Sequence, residues 1–397
     1  MIPIRKSLII RPMVIVLILV TCLLSLTGCW DRVEINDLAI VTAAGFDLTD
    51  DNKIRLTVQL FTPTTSSSQS GSGESSSGSQ QNQPLVESAV GINAADAASK
   101  LQGLLSRKFF WGQSDIFIFS KKLAKNGLNE TFDYLVRHPL PRERANLYIS
   151  LSDTTQILQW KPNIERNSAE VLREMSALQT GLSMTLLKAV VELSDESHTV
   201  VIPWVKMKGS GNKTSPYIGG AASIKHMKMN HLYDVQKTRG LLWVRDEINT
   251  AHLTNQIPGD AGQVSLEIIN SRSNLKPYIK DDQWIIKVNV RAAGNLNENT
   301  TDMDTSNPKS IKELEKQFAA IISDRIQKAV NHAQKTNTDI LGFAEQFHRH
   351  YPKQWKKHEQ EWDELFPQIK VEYHVTASIL RTGMIGNNKA MMDTQGD

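Results

Sequence analysis

Leu38-Ala39-Ile40-Val41-Thr42-Ala43-Ala44-Gly45-Phe46-Asp47 is an unbroken apolar run whose partners decide the fold. A short run of this kind, bounded by polar residues, predicts a buried strand, here ending at Gly45. The next segment, Lys53-Ile54-Arg55-Leu56-Thr57-Val58-Gln59-Leu60, alternates polar and apolar with the period of a half-buried strand. Asp50-Asp51-Asn52 between them suits a tight turn, so the two strands are expected to pair as a hairpin.

Outward from this hairpin, helix and strand patterns alternate. Leu85 to Val90 reads as a strand, and Asn93 to Ser106 carries Ala94, Ala97, Ala98, Leu101 and Leu105 at helical spacing. Asp115-Ile116-Phe117-Ile118-Phe119 is a strand, Leu123 to Arg137 a helix stopped by Pro139 and Pro141, and Ala145 to Leu151 another strand. This β-β-α-β-α-β order predicts a mixed sheet with helices packed on it. Helices over Ala169 to Gln179 and Ser183 to Leu193, then a strand over Thr199 to Val205, complete an N-terminal α/β domain at 29–208.

Gly209-Ser210-Gly211-Asn212-Lys213 has linker composition and marks the expected main boundary. The C-terminal region, 214–385, divides into a strand-rich part at 214–300 and a long-helix α/β part at 301–385. Strands are expected at Tyr217 to Ser223, Leu241 to Val244, Gln263 to Asn270 and Gln283 to Val290. Asn307-Pro308 supplies a cap and a first helical residue. Ile311, Leu314, Phe318, Ile321, Ile322, Ile326, Ala329 and Val330 then form one apolar stripe, which favours core packing over a partner-binding face. Thr338-Asp339 opens a helix through His348, Pro352 to Trp362 is basic and aromatic, and Lys370 to Leu380 is a last strand. The fold class is therefore α/β in the mixed α+β sense, with several domains and mixed sheets.

One segment interrupts this pattern. Residues 64–83 are almost all Ser, Gly and Gln, and cannot bury enough apolar surface to offset their ordering entropy. A disordered insertion is expected there. Gly71-Ser72-Gly73 within it is no phosphate loop, because no strand leads in and no helix leads out.

Toward the N-terminus the chain reads as export machinery. Arg5, Lys6 and Arg11 precede an apolar run from Met13 to Leu24, too short for the roughly 20 residues that span a bilayer. Leu26-Thr27-Gly28-Cys29 ends it, so residues 1–28 have the layout of a signal peptide cut between Gly28 and Cys29. The Cys29 thiol would carry diacylglycerol, with an N-acyl chain as a further modification. Two acyl chains, at ~0.8 kcal/mol per buried methylene, hold a protein stably on a membrane where one does not. Cys22 leaves with the signal, so Cys29 has no disulfide partner and lipidation accounts for it.

Charge and motifs narrow the function classes. Of 45 basic residues three precede Cys29 and no acidic one does, which leaves 42 of each sign and no broad footprint for nucleic acid. There is no Gly-x-Ser-x-Gly elbow, His-Glu-x-x-His pair or Gly-Lys-Ser/Thr phosphate loop. His348, His350 and His358 lack the neighbouring Cys or carboxylate of a tetrahedral metal set, and alternate histidines leave a helix on different sides. Lys353, Trp355, Lys356, Lys357 and Trp362 read as tryptophans packed inward with lysines in water. No catalytic residue, metal ligand or cofactor is assigned, and a non-enzymatic protein is expected.

Gly28-Cys29-Trp30-Asp31-Arg32-Val33-Glu34-Ile35-Asn36 resembles the mature start of the Ger(x)C lipoproteins, the C subunits of spore nutrient germinant receptors. Phe110-Trp111-Gly112-Gln113-Ser114-Asp115 and Leu123-Ala124-Lys125-Asn126-Gly127 resemble the family's N-terminal region. Thr238-Arg239-Gly240-Leu241-Leu242-Trp243, Asn337-Thr338-Asp339-Ile340-Leu341-Gly342 and Tyr351-Pro352-Lys353-Gln354-Trp355 resemble its C-terminal region. Residues 64–83 have no counterpart in the family pattern. The resemblance implies three domains and a lipid anchor on the outer face of the spore inner membrane. It also implies action with a multi-pass A subunit and a transporter-like B subunit that recognises the nutrient. Whether this subunit contacts the small-molecule germinant is left open, and only Cys29 carries over as a site residue. The competing expectation is a solute-binding lipoprotein of a membrane transporter, which needs two similar lobes that these unlike halves do not offer.

Overall fold

The computed structural model describes residues 14–19, 21, 34–61, 85–178, 181–209, 214–257 and 261–383. Gly28, Cys29 and the insertion expected at 64–83 lie outside the described residues, as do residues 210–213 of the expected linker. Residues 14–19 are helical and exposed, and among the described residues no helix is long and apolar enough to cross a membrane.

Nine strands form the first sheet. They are β1 (Leu38–Leu48), β2 (Ile54–Leu60), β3 (Leu85–Gly91), β4 (Lys108–Phe110), β5 (Ile116–Ser120), β6 (Asn146–Ser150), β7 (Thr199–Lys208), β8 (Ser215–Lys225) and β9 (Lys228–Asp234). Their order is β3-β2-β1-β5-β6-β7-β8-β9, with β4 pairing the start of β1. The expected β1–β2 hairpin is present, antiparallel, with Phe46 opposite Leu56. β1, β5, β6 and β7 run parallel in the middle, while β2–β3 and β8–β9 add antiparallel flanks.

Parallel strands are linked by crossovers that cover both faces, so they read as continuous apolar runs. All five residues of β5 are buried. One face carries Phe46, Leu56, Phe117, Phe119, Leu147 and Ile202. Covering it are α1 (Ala94–Leu104), α2 (Lys121–Asn126), α3 (Asn129–Arg137) and α6 (Leu186–Ser194), which supply Leu101, Leu123, Phe132 and Ala189. The other face is shared. At the β1–β5–β6 end α4 (Thr154–Gln159) and α5 (Ser168–Ala177) cover Ile116, Ile118 and Tyr148. At the β7–β8–β9 end Val201, Ala221 and Tyr233 join the core of the second half.

That second half contains β10 (Ala251–Gln256), β11 (Gln263–Lys280), β12 (Gln283–Asn299) and β13 (Lys370–Arg381), paired in that order. Its helices are α7 (Val235–Val244), α8 (Pro308–Lys335), α9 (Phe343–His350) and α10 (Pro352–His358). Asn307 caps α8, its side chain accepting the Lys309 N–H at 2.9 Å. Of the expected stripe, Leu314, Phe318, Ile322, Ile326, Ala329 and Val330 are buried, while Ile311 and Ile321 are half-buried at its edge.

Several expectations need correction. The sheet continues across the segment expected to separate two domains, because β8 pairs β7 along its length. Residues 241–244 are the end of helix α7, not a strand, and all four are buried. A helix buried all round shows no period within four residues, and such a run is indistinguishable from a strand. Gly45 does not end β1; it lies inside the strand, where a Cβ would come within 2.6 Å of Thr154 Oγ1 on α4. The helix expected over 123–137 breaks into α2 and α3 at Gly127, whose φ of +144° suits glycine. The helix expected from Thr338 starts only at Phe343.

Candidate functional site

The two sheets meet at a junction built from α6, the end of α7 and the segment Asn337–Gly342. The last of these holds an irregular backbone between α8 and α9, with positive φ at Asn337 (+47°) and Gly342 (+78°). Asp339 stabilises that turn. It is 3% exposed, and its carboxylate accepts N–H bonds from Leu341 (3.2 Å), Phe343 (3.1 Å) and Ala344 (2.7 Å). Two of those donors belong to the first turn of α9, whose N–H groups have no partner within the helix. Burial pushes the Asp339 carboxyl up to about 6, against the lowering effect of these three bonds.

The same turn docks on the first sheet through its carbonyls. Thr199 at the start of β7 donates its hydroxyl to Asp339 O at 2.6 Å. Lys225 Nζ at the end of β8 donates to Asn337 O at 2.8 Å and pairs with Asp363 at 2.6 Å. Arg245 Nη1 donates to Ile340 O at 3.1 Å.

Arg245 is the centre of the junction. Its guanidinium contacts Glu192 of α6 at 2.5 Å and Glu247 at 3.0 Å, and Lys188 of α6 reaches Glu247 at 2.6 Å. Burial opposes the Arg245 charge, but the adjacent Glu247 and Glu192 carboxylates outweigh it and hold its pKa above the ordinary value. Burial likewise opposes the Glu247 charge, and Arg245 and Lys188 reverse that, lowering its pKa. Such a network contributes specificity of docking more than stability, while loss of one partner leaves a charge buried without compensation.

Beside the network lies a cavity of about 380 Å³, with Asp195, Asn274, Asp339 and Glu345 among its walls. Burial, then the charges of Glu345, Glu196 and Glu192, raise the Asp195 pKa. Arg245 is engaged on three sides, by Glu192, Glu247 and Ile340 O, and the Thr199 hydroxyl on the cavity wall is spent on Asp339 O. Its chemistry is that of a joint.

The residues weighed for metal are dispersed. His348 Nδ1 bonds Glu196 across the junction and its ring stacks on Trp355, His350 Nδ1 faces Gln346 O at 2.9 Å, and His358 Nδ1 faces Glu361 at 3.0 Å. Among the described residues no three His, Cys, Asp or Glu side chains gather as a metal set. Trp355 and Trp362 are core residues, edge to face at 5.0 Å, while Lys353, Lys356 and Lys357 are exposed.

The segments singled out in the sequence turn out to be joints. Trp111 is buried edge-on to Phe109 at 4.9 Å. Asp115 takes Arg142 at 3.1 Å and Arg173 at 3.2 Å, while Arg142 Nε donates to Gly112 O at 2.6 Å. At Gly240 a Cβ would meet the Arg325 carbonyl oxygen at 2.1 Å, so α7 crosses α8 there with no room for a side chain. Arg245, Glu192, Glu247 and Lys188 carried no motif, and only folding brings them together. Asp339 lies in the family-like segment Asn337–Gly342, where the sequence predicts a helix start rather than a buried turn acid.

Residues 31–207 match the family model of the spore germination protein N-terminal domain, and residues 219–383 match that of the spore germination B3/GerAC-like C-terminal domain. YfkR of Bacillus subtilis (strain 168) is 26% identical over 374 residues, covering 93% of this chain and 96% of that protein. Spore germination protein KC of the same strain is 24% identical over 401 residues, covering 95% and 98%. The crystal structure of the GerBC protein has the same fold, with a TM-score of 0.57 at 19% identity over 85% of this chain and 96% of that one. Both domains occur in order along one chain, and the chain belongs to the GerAC family of spore germination proteins, the C subunits of germinant receptors.

Proposed function

We propose that the chain is a lipid-anchored, non-enzymatic subunit of a germinant receptor complex, required for nutrient-triggered spore germination. The observation that carries this reading is the match of both family domains, in order, over nearly the whole chain. In this reading diacylglycerol on Cys29 tethers it to the outer face of the spore inner membrane. There it works with a multi-pass A subunit and a transporter-like B subunit. The junction suits such a role, because its charges and carbonyls clamp the two sheets together. Deleting the gene should abolish the response to one nutrient while receptor-independent germination persists. Unchanged nutrient germination in a strain without redundant receptors would overturn the proposal. For the anchor, Cys29→Ala should release the protein from the membrane fraction and abolish incorporation of labelled lipid.

A further inference from the structure

We propose that the groove between the start of α7 and the C-terminal half of α8 binds an elongated organic anion with two oxyanion groups, one on Arg325 and one on His332. Arg325 and His332 are seven residues apart on α8, hence on one face, about 10 Å apart along the axis. Both line the groove, and each carries a side-chain nitrogen, Arg325 Nη1 and His332 Nε2, that is closed off from solvent and has no hydrogen-bond partner among the described residues. An unpaired buried donor costs roughly 1–3 kcal/mol, more when charged, so Arg325 Nη1, and His332 Nε2 in its N–H tautomer, favour an acceptor.

The surroundings sharpen the chemistry. Asp234 and Asp324, the carboxylates of the groove, are both engaged. Asp234 takes the Lys237 ammonium at 2.5 Å and the Lys237 N–H at 2.8 Å, and Asp324 takes Lys328 at 2.6 Å. That leaves Arg325 at one end and His332 with exposed Lys335 at the other, a cationic excess with two poles. Burial and then the Arg239 charge lower the Arg325 pKa; burial, then Lys237 and His231, lower that of His332. An anion would relieve both. The His332 ring is already fixed, edge-on to Tyr233 at 4.7 Å. The close crossing at Gly240 fixes the Arg325 backbone, and the planar guanidinium fork it carries matches a carboxylate or phosphate edge. About 570 Å³ of space, with Ile321 as an apolar wall, accommodates an organic linker between the poles.

Isothermal titration of the full chain at low salt with glutarate, acetate and inorganic phosphate tests this. Glutarate should bind saturably with one site, and about tenfold more tightly than acetate or phosphate, the gain from a second charge-assisted contact. Arg325→Gln and His332→Gln should each weaken glutarate binding by about tenfold, while Lys276→Gln on the distant second sheet leaves it unchanged. Circular dichroism checks that each variant is folded; should Arg325→Gln unfold, the exposed Lys335→Gln must still weaken binding. Absence of saturable glutarate binding would overturn the proposal. So would equal affinities for the three anions, or binding indifferent to these substitutions.

Discussion

The two sheets solve the same problem in opposite ways. The first is covered on both faces, and its central strand β5 is buried at every position. The second is covered on one face only. In β12, Trp284, Ile286, Val288, Val290 and Ala292 point into the core, while Lys287, Asn289 and Arg291 alternate with them toward the outside. Cross-strand register then sets Arg272 opposite Arg291 and Lys276 opposite Lys287 on the outer face. Like charges directly opposite are destabilising. Partial relief comes from Asp246 near Arg272 and Glu372 near Lys287, both at 3.6 Å. A sheet covered twice depends on apolar packing, whereas a sheet covered once must make its outer face soluble and tolerates some electrostatic conflict there.

The largest expected effect follows from the doubly covered sheet. Phe117 is fully buried within a ring cluster containing Phe46 at 6.5 Å and Trp111 at 6.0 Å. Phe117→Ala should cost about 3–5 kcal/mol by equilibrium denaturation, from lost transfer energy and the cavity left behind. Asn289→Ala, on the uncovered face, should change stability by no more than about 0.5 kcal/mol. Comparable losses at the two positions would show that the outer face of the second sheet is covered after all.

Next is the junction that joins the two designs. Arg245→Ala leaves Glu192 and Glu247 sharing only the Lys188 ammonium, and should cost about 3 kcal/mol, as expected when buried charges lose a main partner. Because the network is shared, the variant should also unfold in two steps by intrinsic fluorescence and circular dichroism. A single transition with wild-type midpoint would mean that apolar contact alone holds the sheets together.

How much of this was legible beforehand depended on the range of the interactions. The β1–β2 hairpin, the β5 strand and the α8 stripe are local periodicities, and each lies where its pattern places it. The end of helix α7 was hidden because residues 241–244 are all buried and show no polar face to reveal their period. The continuation of the first sheet through β8 and β9, across the segment where the two family domains meet, was hidden because loop composition does not say whether the flanking strands pair. The junction was the least legible part. Glu192, Arg245 and Asp339 are far apart in the chain, and each looks like an ordinary surface charge until the fold buries it.

Asp339 ties the junction to pH. Its folded pKa of about 6 lies above the ordinary 3.8, so the folded state holds the proton more tightly than the unfolded state. The associated stability is complete below about pH 4 and is lost as pH rises through about 6, amounting to about 3 kcal/mol. Asp195, also raised, contributes in the same sense. The slope of stability against pH between 4 and 6 should therefore be shallower in Asp339→Asn than in wild type. Parallel slopes would show that the buried carboxyl titrates normally and that the turn admits water.

The smallest effect belongs to the outer face of the second sheet, and it should be a gain. Arg291→Gln removes a charge facing Arg272 while keeping an unbranched stem with a polar end. No core contact is lost, because Arg291 is exposed. Stability should rise by about 0.2–1 kcal/mol, the value of one cross-strand pair. The gain should shrink as salt rises, since exposed charges are screened over about 10 Å at 0.1 M. Phe117→Ala, by contrast, should cost the same at every salt concentration, because its loss is apolar. A salt-independent gain at Arg291 would mean that the two guanidinium groups are not in conflict, and that the uncovered face is set by packing in the same way as the covered ones.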